Sequence, residues 1–209
     1  MAACQSFTES TLEVLDNHLN ATGIFLDLSK AYDVLNHQIL FDKLEIYEVR
    51  GVLKSWIKSY SANHTQFVEI PKIGNNNTLY RYSAFYRDTT YGVPQGSILG
   101  PILFLLYIND LTGYVQNAMS VHYADDTNTL VVDKDIKVLE LKTALVMEQL
   151  EAWIFDNELV LNTAKTCAML FHSSQQKCVD KPNIMYNNIV IAYSPNIKFF
   201  GITLIENLK

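Results

Sequence analysis

Gly23-Ile-Phe-Leu-Asp-Leu-Ser29 is a short apolar run with one acid in its middle. A run of this length and make-up reads as a buried strand. Asp27 is the unusual part, because burying an unpaired carboxylate costs free energy or shifts its pKa. A second acidic feature stands downstream. Two short apolar runs, Met119 to Tyr123 and Asn128 to Val132, flank Ala124-Asp125-Asp126 and predict a hairpin with the acids at its turn. Taken singly, Asp27 is a strand-end acid and Asp125-Asp126 an ordinary Asp-rich turn. Taken together they suggest more, since two paired strands can bring their carboxylates to one spot. Three acids there repel one another unless cations lie between them. Hard divalent cations with oxygen ligands fit, Mg²⁺ above all. Two such ions about 3.5–4 Å apart activate a hydroxyl and stabilise a leaving phosphate oxygen. Phosphoryl transfer needs mainly that positioning and charge neutralisation.

The elements around this pair alternate in type. Val34, Ile39, Leu40, Leu44 and Tyr47 recur at helical spacing up to Gly51, and Val52 to Tyr60 sets Leu53, Trp56, Ile57 and Tyr60 on one face. Gln66 to Tyr91 predicts a hairpin turning at Gly74 to Asn77. Gly92-Val-Pro-Gln-Gly-Ser97 is loop chemistry, followed by an apolar helix from Ile98 to Leu111 with Pro101 in its first turn. Asp135 to Asn157 is the strongest helix pattern, with acids at its start. Val160-Leu161 and Cys167 to Phe171 read as strands around an Asn162 to Thr166 turn. Val190 to Tyr193 and Lys198 to Thr203 read as a closing hairpin. Mixed strands and helices with several hairpins imply an α+β fold on a mainly antiparallel sheet.

The 209 residues are 49% hydrophobic and 18% charged, which excludes a disordered chain. With 16 Lys and Arg against 22 Asp and Glu, the net charge of −6 excludes a basic coat over the whole surface, though not a local basic groove. Cys4, Cys167 and Cys178 form no CxxC pair and are odd in number, which argues against a disulfide framework or a zinc ribbon. The start, MAACQSFTESTLEVLD, has neither basic residues nor an apolar run, so no secretory signal is expected. The apolar run 98–108 falls short of the about 20 residues that cross a bilayer. An intracellular protein, not secreted and not in a membrane, is expected. The sequons at Asn20, Asn63 and Asn76 are then chance matches.

Three segments in this order carry a resemblance. Phe25-Leu-Asp-Leu-Ser-Lys-Ala-Tyr-Asp33, Gly92-Val-Pro-Gln-Gly-Ser-Ile-Leu-Gly-Pro101 and Tyr123-Ala-Asp-Asp126 are similar to motifs of the reverse transcriptase domain of non-LTR (LINE-type, jockey-like) retrotransposons. Leu106-Tyr-Ile-Asn-Asp-Leu111 and Leu159-Val-Leu-Asn-Thr-Ala-Lys-Thr166 extend the resemblance, which covers roughly residues 20–205. It implies a polymerase palm, a mainly antiparallel sheet packed on helices, over residues 23–209, with residues 1–22 a remnant of the fingers. The fingers would be partial and the thumb absent.

The resemblance also implies roles. Asp27, Asp125 and Asp126 would be the metal-binding acids, with the Leu28 backbone carbonyl as a further ligand, around two Mg²⁺ ions. Tyr32 would stack under the incoming sugar and exclude a 2′-hydroxyl, the group that distinguishes RNA from DNA; the plain alternative is a core tyrosine. Gln95 and Gly96 would meet the incoming nucleotide or template base, or else belong to a helix-entry loop capped by Ser97. Lys165 would neutralise a triphosphate or protonate the leaving pyrophosphate, or simply be solvated. Phe200 and Gly201 in Phe199-Phe-Gly201 would grip the primer end, or Phe199 and Phe200 belong to the core. The implied function is an RNA-directed DNA polymerase acting on an RNA template, a DNA primer and deoxynucleoside triphosphates. The alternative is a catalytically inactive, truncated remnant that binds nucleic acid or a partner, because residues 1–22 carry no Lys or Arg to meet a triphosphate. A palm-like nucleotide cyclase shares the acids but has no use for Gly92–Gly96 or Phe199–Gly201.

Overall fold

The computed structural model describes residues 2–61, 65–73, 79–85, 87–94, 96–123, 126–172, 181–199 and 202–206. Along the chain run α1 (Ala2–Asp16), β1 (Asn20–Asp27), α2 (His37–Ile46), α3 (Gly51–Ser61), β2 (Thr65–Gln66), β3 (Glu69–Ile73), β4 (Leu79–Ser83), β5 (Arg87–Asp88), α4 (Leu99–Ile108), α5 (Leu111–Tyr114), β6 (Met119–Tyr123), β7 (Asp126–Asp133), α6 (Ile136–Asp156), β8 (Cys167–Phe171), β9 (Met185–Tyr186), β10 (Ile189–Val190), β11 (Ala192–Tyr193), β12 (Asn196–Phe199) and β13 (Ile202–Ile205). They form two compact units, residues 1–31 with 108–209, and residues 32–107. Residues 22 and 23, where the sequence reading divides the chain, are successive residues of β1.

The first unit is built on a five-stranded sheet in the order β11-β8-β1-β7-β6. Central β1 pairs antiparallel with β7 and β8, and only β11 joins parallel. The fold is thus mixed helix and sheet with mostly antiparallel pairing. Side chains alternate between the two faces of a strand, so Ala21, Phe25 and Asp27 look one way and Thr22, Ile24 and Leu26 the other. The first face joins Ala21, Phe25, Val121, Leu130, Met169 and Phe171 to Phe7 and Val14 of α1 and to Ile197, Phe199 and Leu204 of the β12–β13 hairpin. Phe7, Phe25 and Phe199 meet ring to ring with centroids 5.0–5.7 Å apart, each pair worth about 0.5–1.5 kcal/mol beyond the area it buries. Gly23 makes room for this cluster, since a Cβ there would lie 2.9 Å from the Phe171 ring. Helix α6 packs on β1 and β7 and gives no residue to that cluster, so it covers the opposite face with Val146, Leu150, Trp153 and their buried neighbours. Its ends are those the sequence predicts. The Asp135 carboxylate accepts from the N–H groups of Lys137 and Val138 at one end, and Asn157 closes the other.

Helix α1 has no counterpart in the sequence reading. Its inward stripe is Phe7, Thr11, Val14, and the polar residue in the middle hides the periodicity. Thr11 is buried because its hydroxyl donates to the Phe7 carbonyl at 2.8 Å. The closing hairpin also differs from expectation. Val190 to Tyr193 does not pair with Lys198 to Thr203. Instead β9 pairs with β10 around Asn187-Asn188, both at positive φ, while β11 joins β8 and β12 pairs with β13. Asparagine tolerates the left-handed region, and two in succession suit the tight hairpin turn.

In the second unit, α2 starts at His37 and not at Val34, because the Asn36 side chain caps it by accepting from the N–H groups of Gln38 and Ile39. The predicted hairpin over 66–91 is present as β3–β4, flanked by the short β2–β5 pair; its turn, 74–78, lies outside the described residues. The expected helix 98–111 stops at Ile108, and α5 follows as a separate turn. Only one side of α4 is buried, through Leu103, Phe104 and Tyr107.

Candidate active site

Asp27 is the last residue of the central strand, and Asp126 the first of its neighbour. The two are Cα partners in the β1–β7 register, so the backbone places both carboxylates at the same end and on the same face of the sheet. The turn that carries Lys165 is tied to this strand end twice. The Asn162 N–H donates to the Asp27 carbonyl at 2.8 Å, and the Asp27 N–H donates to Thr166 Oγ1 at 3.2 Å. Lys165 Nζ consequently stands 3.9 Å from Asp27 Oδ2. Leu28, the next residue, forms an isolated antiparallel bridge with Leu161.

A cavity of about 160 Å³ opens at this point, lined by Asp27, Asp126, Asn128, Lys165, Cys167 and Lys198 with Phe25, Leu26, Ile197 and Phe199. Two carboxylates and two ammonium groups share it, so it matches a ligand that carries both metal cations and phosphate anions. Burial pushes the Cys167 thiol up, which leaves a neutral thiol at pH 7 and the oxygens as the donors for a cation. Such a donor set fits a hard divalent cation and not a soft metal. Among the described residues no three His, Cys, Asp or Glu side chains converge as a metal cluster; Asp125, the third expected acid, lies outside them.

Other expected site residues divide by unit. Asp27, Asp126 and Lys165 come together in the first, where Leu28 follows Asp27 but does not line the cavity. Tyr32 and Gly96 belong to the second, where the Tyr32 ring packs on Phe104 with centroids 4.9 Å apart and its carbonyl accepts from the Val93 N–H at 2.8 Å. The two glycines of the loop differ. Gly92, at φ +79°, lies so close to the chain that a Cβ would be 2.7 Å from the Asp33 carbonyl oxygen, whereas a Cβ on Gly96, at φ +80°, would meet open space. Ser97 does cap the helix entry, its Oγ accepting from the Gly100 N–H at 3.0 Å. Gln95, Phe200, Gly201 and Cys178 lie outside the described residues, and Cys167 is a free thiol. The sequence reading did not single out Thr166, Asn128 or Lys198. Period-two counting forward from Asp126 would have put Asn128 on the acidic face.

The sequence model of the family described as reverse transcriptase (RNA-dependent DNA polymerase) matches residues 4–204. The chain belongs to that family. This reverse transcriptase chain is 25% identical, over 94% of its length, to the RNA-directed DNA polymerase from mobile element jockey of Drosophila melanogaster, and it covers 21% of that protein. It is 31% identical, over 90% of its length, to the putative 115 kDa protein in type-1 retrotransposable element R1DM of the same organism, covering 17% of it. It therefore spans about a fifth of the length of the curated relatives it matches. In fold it is similar to apo telomerase from Candida tropicalis truncated from the C-terminal domain, with a TM-score of 0.61 at 14% identity over 98% of this chain and 38% of that one. Telomerase from Candida albicans in complex with a TWJ fragment of telomeric RNA is similar at TM-score 0.55 and 14% identity, over 98% of this chain and 33% of that one. Among the described residues no helix is long and apolar enough to cross a membrane.

The strand that delivers Asp126 to the site carries a pH-sensitive neighbour. Burial holds His122 on β6 below the usual imidazole range, with its Nδ1 3.2 Å from Thr127 Oγ1. The unfolded chain takes up this proton before the folded one does. His122 therefore contributes nothing unfavourable above about pH 6.5 and destabilises the fold as pH falls from there towards its depressed value. Urea midpoints are expected to drop between pH 7.5 and pH 5.5, and to drop less for His122→Gln; an equal drop in both would show that other groups control it.

Proposed function

We propose that the chain is a polymerase palm with part of the fingers, an RNA-directed DNA polymerase that joins deoxynucleotides to a primer 3′-hydroxyl on an RNA template. The observation that carries this reading is the register pairing of Asp27 with Asp126 beside Lys165. The relative from jockey, named an RNA-directed DNA polymerase, supports it. The five-stranded sheet would be the palm. Helix α1 lies in the segment assigned from sequence to a fingers remnant and shares the core of that sheet through Phe7.

Asp27, Asp125 and Asp126, with the Leu28 carbonyl, would hold two Mg²⁺ ions. When bound, these supply charge neutralisation at the triphosphate and a lowered pKa at the attacking hydroxyl. The remaining work falls to the chain itself. Lys165 neutralises the negative charge of the triphosphate or gives the leaving pyrophosphate a proton. Tyr32 lies under the sugar and excludes a 2′-hydroxyl. Gln95 and the backbone at Gly96 meet the nucleotide or its template base. Phe200 and Gly201 hold the primer end.

Primer extension on a primed RNA template with dNTPs and Mg²⁺ tests the proposal. Wild-type chain is expected to extend the primer and Asp125→Asn is expected not to. No extension by a folded wild-type chain would overturn the activity and favour the inactive remnant. Tyr32→Ala is expected to lower the preference for deoxy- over ribonucleotides by about tenfold or more. Single-nucleotide incorporation with each substrate measures this, and an unchanged ratio removes Tyr32 from the role.

A further inference from the structure

Away from the acidic strand ends, the first unit carries a larger groove of about 750 Å³ between the C-terminal half of α6, the chain that follows it and the β9–β10 turn. It shares no lining residue with the Asp27 cavity. Its floor is apolar and buried: Ile154, Leu159, Leu161 and Tyr186 are all less than a tenth exposed. Its rim is apolar and open, with Phe155 81%, Val160 54% and Ile189 48% exposed. Exposed hydrophobics grouped beside polar residues mark contact surfaces. Every charged residue in the lining is an acid: Glu148, Glu151 and Asp156. Glu148, Ala152 and Asp156 follow one another at four-residue spacing, so they form a stripe along α6. The Asn187 N–H donates to Glu151 Oε2 at 3.3 Å, which ties the two walls together. None of the described ion pairs uses these three carboxylates.

We propose that this groove docks a basic amphipathic segment of a protein partner, with Leu- or Met-sized side chains on the floor and Lys or Arg facing Glu148, Glu151 and Asp156. Charge complementarity selects the partner. An all-acid lining repels the phosphates of nucleic acid and attracts a cationic peptide. Extent selects a segment over a small molecule, because the open apolar rim runs from Phe155 on α6 through Val160 to Ile189 on β10. The proposal does not depend on catalytic activity.

The test is a titration of the whole chain into a fluorescein-labelled amphipathic helix of leucine and lysine, read by anisotropy near physiological salt. Glu148→Lys with Asp156→Lys is expected to weaken binding about tenfold or more. Glu9→Lys with Glu13→Lys, an equal charge change on exposed positions of α1, is expected to weaken it less than about twofold, since screening confines the effect to near neighbours. Phe155→Ala is expected to weaken it about fivefold or more, and its high exposure keeps the fold intact. Equal weakening by both charge pairs would overturn the proposal as diffuse attraction. So would failure to bind the peptide, equal binding of a leucine–glutamate helix, binding of single-stranded RNA that depends on Phe155, or self-association that Phe155→Ala abolishes.

Discussion

Asp27→Asn is expected to lower Mg²⁺-dependent primer extension by about a thousandfold or more while the urea midpoint moves little. The two halves of this expectation have separate physical grounds. On activity, the carboxylate faces Asp126 across one strand pair, and an amide there removes a full negative charge from the pair of acids that would hold the metal ions. Loss of a preorganised electrostatic group of this kind costs about 10²–10³ in rate when only a hydrogen bond goes, and loss of a metal ligand costs more. On stability, Asn is nearly isosteric, and the one described ion pair of Asp27, to Lys165 at 3.9 Å, joins side chains 37% and 71% exposed. Pairs this open are worth about 0–1 kcal/mol, and relief of the repulsion from Asp126 acts in the other direction. Steady-state extension and urea unfolding, measured on the same preparation, check both. Retained extension would show that Asp27 is a structural acid and would remove the centre of the proposed site.

Gly92→Ala is expected to destabilise the second unit by about 2–5 kcal/mol. The left-handed conformation at φ +79° costs an L-residue about 1–2 kcal/mol. The new Cβ would also sit 2.7 Å from the Asp33 carbonyl oxygen, and relieving a clash against backbone costs about 1–3 kcal/mol more. The backbone there has little room to move, because the Gly92 N–H donates to the Leu35 carbonyl at 2.7 Å and the Gly92 carbonyl lies 2.7 Å from His37 Nε2. Gly96→Ala is the internal comparison. It has the same sign of φ and open space around it, so only the conformational cost of about 1–2 kcal/mol applies. Hydrogen exchange of amides in residues 32–107 measures each. Equal effects at the two glycines would mean that the close approach to Asp33 carries no energy.

The glycines also show how far the sequence reaches. That Gly92 and Gly96 flank a turn is legible from Gly-Val-Pro-Gln-Gly, since glycine and proline act through their own backbone. That one of them fits against the chain at Asp33 is not legible, because the contact joins residues far apart in sequence. The same division runs through the rest of the molecule. The Met119–Tyr123 hairpin strand, the helix between Asp135 and Asn157 and the strand at Cys167–Phe171 were all readable, because apolar periodicity and helix caps are local. Helix α1 was not, because buried Thr11 breaks its apolar stripe and only its hydrogen bond to Phe7 makes burial tolerable. The pairing of the last five strands was not either, since short strands of similar composition leave register and partner to tertiary packing.

For the candidate site, the sequence by itself singled out the candidate acids, Asp27 within an apolar strand and those of Tyr123-Ala-Asp-Asp126 between two others, and showed which family the motifs resemble. Only the tertiary structure decided that Asp27 and Asp126 share one register position, that Lys165 is held beside them through Asn162 and Thr166, and that Asn128, Lys198 and Phe199 close the cavity. The reason is physical. A residue's chemistry and its local conformational preference travel with the chain, whereas a site is a set of distances between segments, and those are set when the sheet closes around its core.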